Sequence, residues 1–82
     1  MEKSLSLAEL TLGINAYITE IQHSKEMTQR LLDLGFTKNT PIRALFRSYS
    51  GDPTAFLIRN TVIALRKEDS VKIKISFYRK KS

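Results

Sequence analysis

Glu20, His23 and Glu26 stand at i, i+3 and i+6, a spacing that could bring one imidazole nitrogen and two carboxylates to a divalent cation. Zinc and iron sites ordinarily draw on more imidazole or thiolate than that, and here His23 is the one histidine and cysteine is absent. The stretch also spans an expected join between strand and helix, which takes the three side chains off a common face, so they read as a solvated connector. His23 and Ser24 do not make a nucleophile and base, because sequence neighbours project apart and no third group is placed to orient the ring. Gly51-Asp52-Pro53 is a turn in composition. A phosphate cradle needs several glycines leading into a helix N-terminus, whereas here Asp52 is expected to cap the turn and Pro53 to set its φ. No complete catalytic constellation remains, so the sequence assigns no catalytic, cofactor-binding or metal-ligating residue.

Charge is unevenly placed. Residues 1–41 carry four basic and five acidic side chains, whereas residues 42–82 carry ten basic and three acidic, a net of +7. A domain with one basic half suggests an anionic partner. Arg43, Arg47, Lys72 and Lys74 are expected to alternate outward on two strands that adjoin, with Arg79-Lys80-Lys81 beyond them. Such a stripe is also what a nucleic-acid-binding barrel built on the 42–82 half would use, together with exposed aromatics, for which the tyrosines are Tyr17, Tyr49 and Tyr78. The plainer reading is a solvated outer surface, with no specific nucleic acid as partner. No stretch approaches the roughly 18 unbroken apolar residues of a spanning helix. The one sizeable helix carries Glu26 and Asp33 on its polar face, so membrane insertion is not expected. Met1–Leu12 has Glu2 and no apolar block, unlike a signal peptide, and a cytoplasmic location is expected.

The elements that must position these side chains are mostly short strands. Ser6 and Glu9 fit a capping box opening a single turn that Gly13 closes. Asn15–Ile21 reads as a strand with Ala16 and Ile18 on one side and Tyr17 and Thr19 on the other, and a buried Ile21 would break that alternation through a bulge near Glu20. Ser24 is a candidate N-cap for a helix over Lys25–Leu34. Met27, Leu31 and Leu34 form its buried stripe, Gly35 its left-handed cap, and Leu32 its surplus apolar residue off the stripe. Pro41–Arg47 alternates with Ile42, Ala44 and Phe46 on one side. After a turn at Ser50–Pro53, Ala55–Asn60 returns with Phe56 and Ile58 inward. Asn60-Thr61 reverses the chain into Val62–Arg66, and a helical turn at Lys67–Ser70 leads to Val71–Phe77, with Val71, Ile73, Ile75 and Phe77 inward. The 82 residues suffice for one small domain, expected over residues 1–78, with a basic tail over 79–82. About five short strands with one inserted helix close most economically by pairing first and last strands. The expected fold is mainly β, a small SH3-like barrel with one short helix after the first strand.

Several strings in this order resemble one family. They are Leu7-Ala8-Glu9-Leu10 with Gly13, Ile18 and Ile21, Arg30-Leu31-Leu32-Asp33-Leu34-Gly35-Phe36, Pro41-Ile42, Gly51-Asp52-Pro53, and Ile63-Ala64-Leu65-Arg66-Lys67-Glu68 with a final Ile73. Together, over Leu5 to Ile75, they are similar to the FeoA family of small cytosolic accessory proteins in bacterial ferrous iron uptake. The chain has Asn39 and Asn60 where that family usually has glycine, and asparagine tolerates the left-handed backbone such turns need. A related module ends metal-dependent repressors, whose DNA-binding segments find no room here. The resemblance implies an SH3-like barrel, no catalysis, and association with the cytoplasmic side of the FeoB membrane transporter, with self-association left open. By position and expected exposure, the partner-binding residues are Arg30 and Leu32 on the helix, with Arg43 and Arg47 steering the approach.

Overall fold

The computed structural model describes residues 5–79; Lys80, Lys81 and Ser82 of the expected basic tail lie outside them. Six strands make one antiparallel sheet: β1 (Leu5–Ser6), β2 (Asn15–Ile21), β3 (Pro41–Arg47), β4 (Thr54–Ile58), β5 (Thr61–Leu65) and β6 (Ile73–Ser76). Their order is β1-β6-β2-β3-β4-β5. The expected pairing of the Asn15 strand with the C-terminal strand is present, with Ile18 opposite Ile75 and a register shift between Ile18 and Glu20. The sixth strand is β1, whose two residues are too few for a period-two pattern to register; Leu5 lies opposite Ile75. Directly after it, a 3-10 turn at Leu7–Glu9 is fixed by the Glu9 carboxylate, which accepts the Ser6 N–H at 2.9 Å. That turn ends at Leu10; the later Gly13 N–H instead donates to the Ala44 carbonyl.

Helix α1 (Lys25–Asp33) starts where expected, with the Ser24 hydroxyl accepting the Met27 N–H. Its end differs from the expected stripe. Leu34 is the C-cap and 44% exposed, while Phe36 is fully buried. Gly35, at φ +107°, swings the chain back so that Phe36 N–H donates to the Leu31 carbonyl and Gly35 N–H to that of Leu32. This is a Schellman motif, and the side chain it drives inward is the one after the glycine. Phe36 therefore joins Leu31, Ile18, Ile42, Phe56, Ile58 and Ile73 in the core, where the 3-10 turn adds Leu7 and Leu10.

Three further side-chain assignments are corrected. A register shift between Ala44 and Phe46 against β4 breaks the alternation of β3 and leaves Phe46 exposed. β6 begins only at Ile73, because Val71 N–H and Lys72 N–H are taken by carbonyls of the short helix α2 (Lys67–Ser70). Val71 is exposed as a result, as is Phe77 past the strand's end. Asp52 caps that helix rather than its own turn: its carboxylate accepts the Lys67 N–H at 2.9 Å, while Ser48 and Ser50 hydroxyls donate to its carbonyl.

His23 is structural. Its Nδ1 accepts the Ser24 N–H at 2.8 Å, so Nε2 carries the proton and donates to Asp69 at 2.9 Å, tying the β2–α1 join to α2. His23→Ala should lower stability by about 1 kcal/mol, read as a shift in the urea midpoint. Asp69→Asn, which still offers an oxygen acceptor, should cost less.

Candidate functional site

A groove of 550 Å³ opens where four pieces of chain meet. They are the Thr37–Thr40 turn between α1 and β3, the first residues of β3, Asn15 at the head of β2, and the β4–β5 reversal, with Arg79 nearby. Both turns depend on left-handed backbone. Asn39 has φ 66°, and the reversal has φ 48° at Arg59 and 64° at Asn60. With Ile58 opposite Thr61, this is a two-residue hairpin of type I′, one residue earlier than the Asn60-Thr61 turn expected. Asparagine tolerates the left-handed backbone that both turns require.

That turn sets Arg59 across the groove wall. Its Nε–H donates to the Gly35 carbonyl at the end of α1, and its Nη2 donates to the Thr37 hydroxyl at 3.1 Å and the Thr40 hydroxyl at 3.5 Å. The two hydroxyls are themselves 2.6 Å apart. Arg43 at the start of β3 is held in the same way, its Nε–H donating to Asn15 Oδ1 at 2.9 Å. Lys38 and Arg79 complete four cations among the described residues, and no described Asp or Glu lines the groove. Every acceptor named for the two guanidiniums is a neutral oxygen, which orients the charge without cancelling it.

The residues singled out from sequence do not converge. Arg43 lines this groove, whereas Arg47, at the far end of β3, lines a separate hollow with Ala8, Gly51, Thr54, Lys67 and Ser70. Arg30 and Leu32 are exposed on α1 and line neither. Asp33 accepts from Gln29 at 3.0 Å, and Arg30 forms no ion pair among the described residues. The stripe of Arg43, Arg47, Lys72 and Lys74 does not form either, since β2 lies between β3 and β6 and Lys72 precedes the strand. Tyr49 and Tyr78 are exposed, but no aromatic residue among those described lines the groove. Glu20, meanwhile, accepts from Gln22 while His23 is engaged with Asp69, and no group of three metal-ligating side chains converges among the described residues. Lys38, Arg59 and Asn15 were missed as site residues. For Arg59 a signal existed: reading the type I′ turn at 59–60 would have placed it on a loop.

Comparison with known proteins gives a consistent picture. A sequence model described as the FeoA domain matches residues 5–76. Iron(II) transport protein A of Clostridium thermocellum is 29% identical with a TM-score of 0.83, over 89% of this chain and 45% of that one. Stenotrophomonas maltophilia FeoA, a prokaryotic SH3 domain protein solved with zinc, is 26% identical with a TM-score of 0.79, over 88% and 89% of the two chains. Chlorobium tepidum FeoA shares the fold, with a TM-score of 0.85 at 23% identity over 89% and 70%. A search of curated proteins found no match.

Proposed function

Because this chain belongs to the FeoA family, we propose that it is a non-catalytic accessory protein of ferrous iron uptake, binding a FeoB-like transporter on its cytoplasmic side and modulating it. The family match over nearly the whole chain carries the reading. Two local observations support it. The hydroxyl and imidazole that stand side by side are both occupied structurally, Ser24 as a helix cap and His23 on Asp69. No described helix is long and apolar enough to cross a membrane, so contact with the transporter is made from a surface.

A barrel of this size offers one face of about 600–800 Å² to a transient partner. On α1, Leu32 is 40% exposed and supplies an apolar anchor, and the exposed Arg30 stands on the same helix; Arg43 and Arg47 steer the encounter. Leu32→Asp should preserve the circular dichroism spectrum and melting temperature. It should also reduce capture by the transporter's soluble cytoplasmic domain at least about tenfold, the scale of an interface hot spot. Unchanged capture would remove Leu32 from the interface. Retention of RNA with a steep log-linear salt slope, and no capture by the transporter domain, would overturn the reading in favour of nucleic-acid binding.

A further inference from the structure

We propose that the groove between the Thr37–Thr40 turn and the Arg59–Asn60 turn binds an extended acidic peptide segment, with the carboxylates of that segment meeting Arg43, Arg59 and Lys38. The owner of the peptide rests on the docking function proposed above; the chemistry of the ligand rests on the groove alone.

Three observations choose this ligand. First, among the described residues four cations line the groove without a single carboxylate, although seven of the chain's eight acidic residues are among those described. Second, the two best-placed cations are already oriented. Arg43 is anchored through Nε to Asn15, and Arg59 through Nε and Nη2 to Gly35, Thr37 and Thr40. Arginines fixed by neutral oxygens lose little rotamer freedom on meeting a carboxylate, and among the described residues Arg43 bonds only through Nε, which leaves both terminal nitrogens for the planar, two-bonded contact carboxylates favour. Third, the rest of the lining suits a polypeptide. The aliphatic surface of Pro41 and Leu57 lies along the groove, and the Asn60 amide can both donate to and accept from a peptide bond.

Other anions fit less well. Single-stranded nucleic acid binds by stacking bases on aromatic platforms, and the described residues of this groove supply none. A compact phosphate is held by convergent backbone N–H groups at a helix N-terminus; here the helix end nearest the groove is the C-terminus of α1, with the Gly35 carbonyl already bonded to Arg59. A volume of 550 Å³ lies in the range of ligand sites and leaves room for several side chains.

The test is fluorescence anisotropy with the full chain and a labelled oligoglutamate peptide, beside an oligoglutamine peptide of equal length. Oligoglutamate should bind saturably and oligoglutamine should not. Arg43→Gln and Lys38→Gln, both at exposed positions, should each weaken binding by about 3–10-fold, in keeping with the loss of one interfacial charge. Lys72→Gln, which removes the same charge outside the groove, should leave it unchanged. Equal losses in all three variants would mean diffuse attraction and overturn the proposal, as would no saturable binding of oligoglutamate. Tighter binding of oligothymidylate than of oligoglutamate, or displacement of the peptide by inorganic phosphate at equal charge, would reassign the groove to those ligands. Because the probe is synthetic, loss of transporter capture with intact peptide binding would indict the partner and not the groove.

Discussion

Phe36→Ala is expected to destabilise the protein by about 3–5 kcal/mol, the range for emptying a buried aromatic site. Small domains hold only about 5–15 kcal/mol in total, so this one truncation should leave a substantial unfolded population at moderate urea. The reason is local and tertiary at once. Phe36 is fully buried among residues from α1, β2, β3 and β4, and it is delivered there by the glycine turn that ends α1. Leu34, two residues earlier in the sequence, is the informative control. Although it continues the i, i+4, i+7 stripe, it is 44% exposed, and Leu34→Asp should cost only about 1 kcal/mol, from partial loss of apolar contact and a carboxylate placed at the helix C-terminus. A urea titration showing Leu34→Asp unfolded and Phe36→Ala intact would mean that α1 packs through the other face.

Gly35→Ala should have the second-largest effect, and through two routes. At φ +107° a side chain strains the backbone, at a cost of about 1–3 kcal/mol. The added Cβ would also stand 2.7 Å from Cδ of Arg59, so that side chain must shift, which disturbs its bonds to Gly35 and Thr37. Stability and peptide binding should therefore fall together. Adding Arg59→Ala removes the clash and leaves the backbone strain. The double variant should thus be more stable than the sum of the single losses implies. Strict additivity would show that Arg59 gives way without cost and that backbone strain alone explains the glycine.

Much of this was legible because period-two alternation is a local signal. Ala16, Ile18, Ile42, Ala44, Phe56, Ile58, Ile73 and Ile75 all face inward as their spacing requires. The bulge near Glu20 was visible too, since Ile21 broke the alternation. The failures share a cause: each lies where a pattern was carried past the element that generates it. The helical stripe was extended to Leu34 beyond the last helical residue, Asp33, and the β6 alternation back to Val71, which α2 holds. Phe46 fell beyond a bulge that its own side-chain pattern does not reveal. The groove was hidden for a different reason. Asn15, Lys38, Arg43 and Arg59 come together only through the sheet order, and no spacing along the chain encodes that β2 separates β3 from β6.

Arg59 spans the end of α1 and the β4–β5 hairpin, so its place in the groove exists only when both have been assembled. Occupancy of the groove and integrity of the native chain are consequently linked by mass action: whatever fills the assembled site, and has no affinity for the open polypeptide, raises the melting temperature in proportion to the logarithm of its concentration. The thermal transition of the protein is therefore itself a reporter of its ligand.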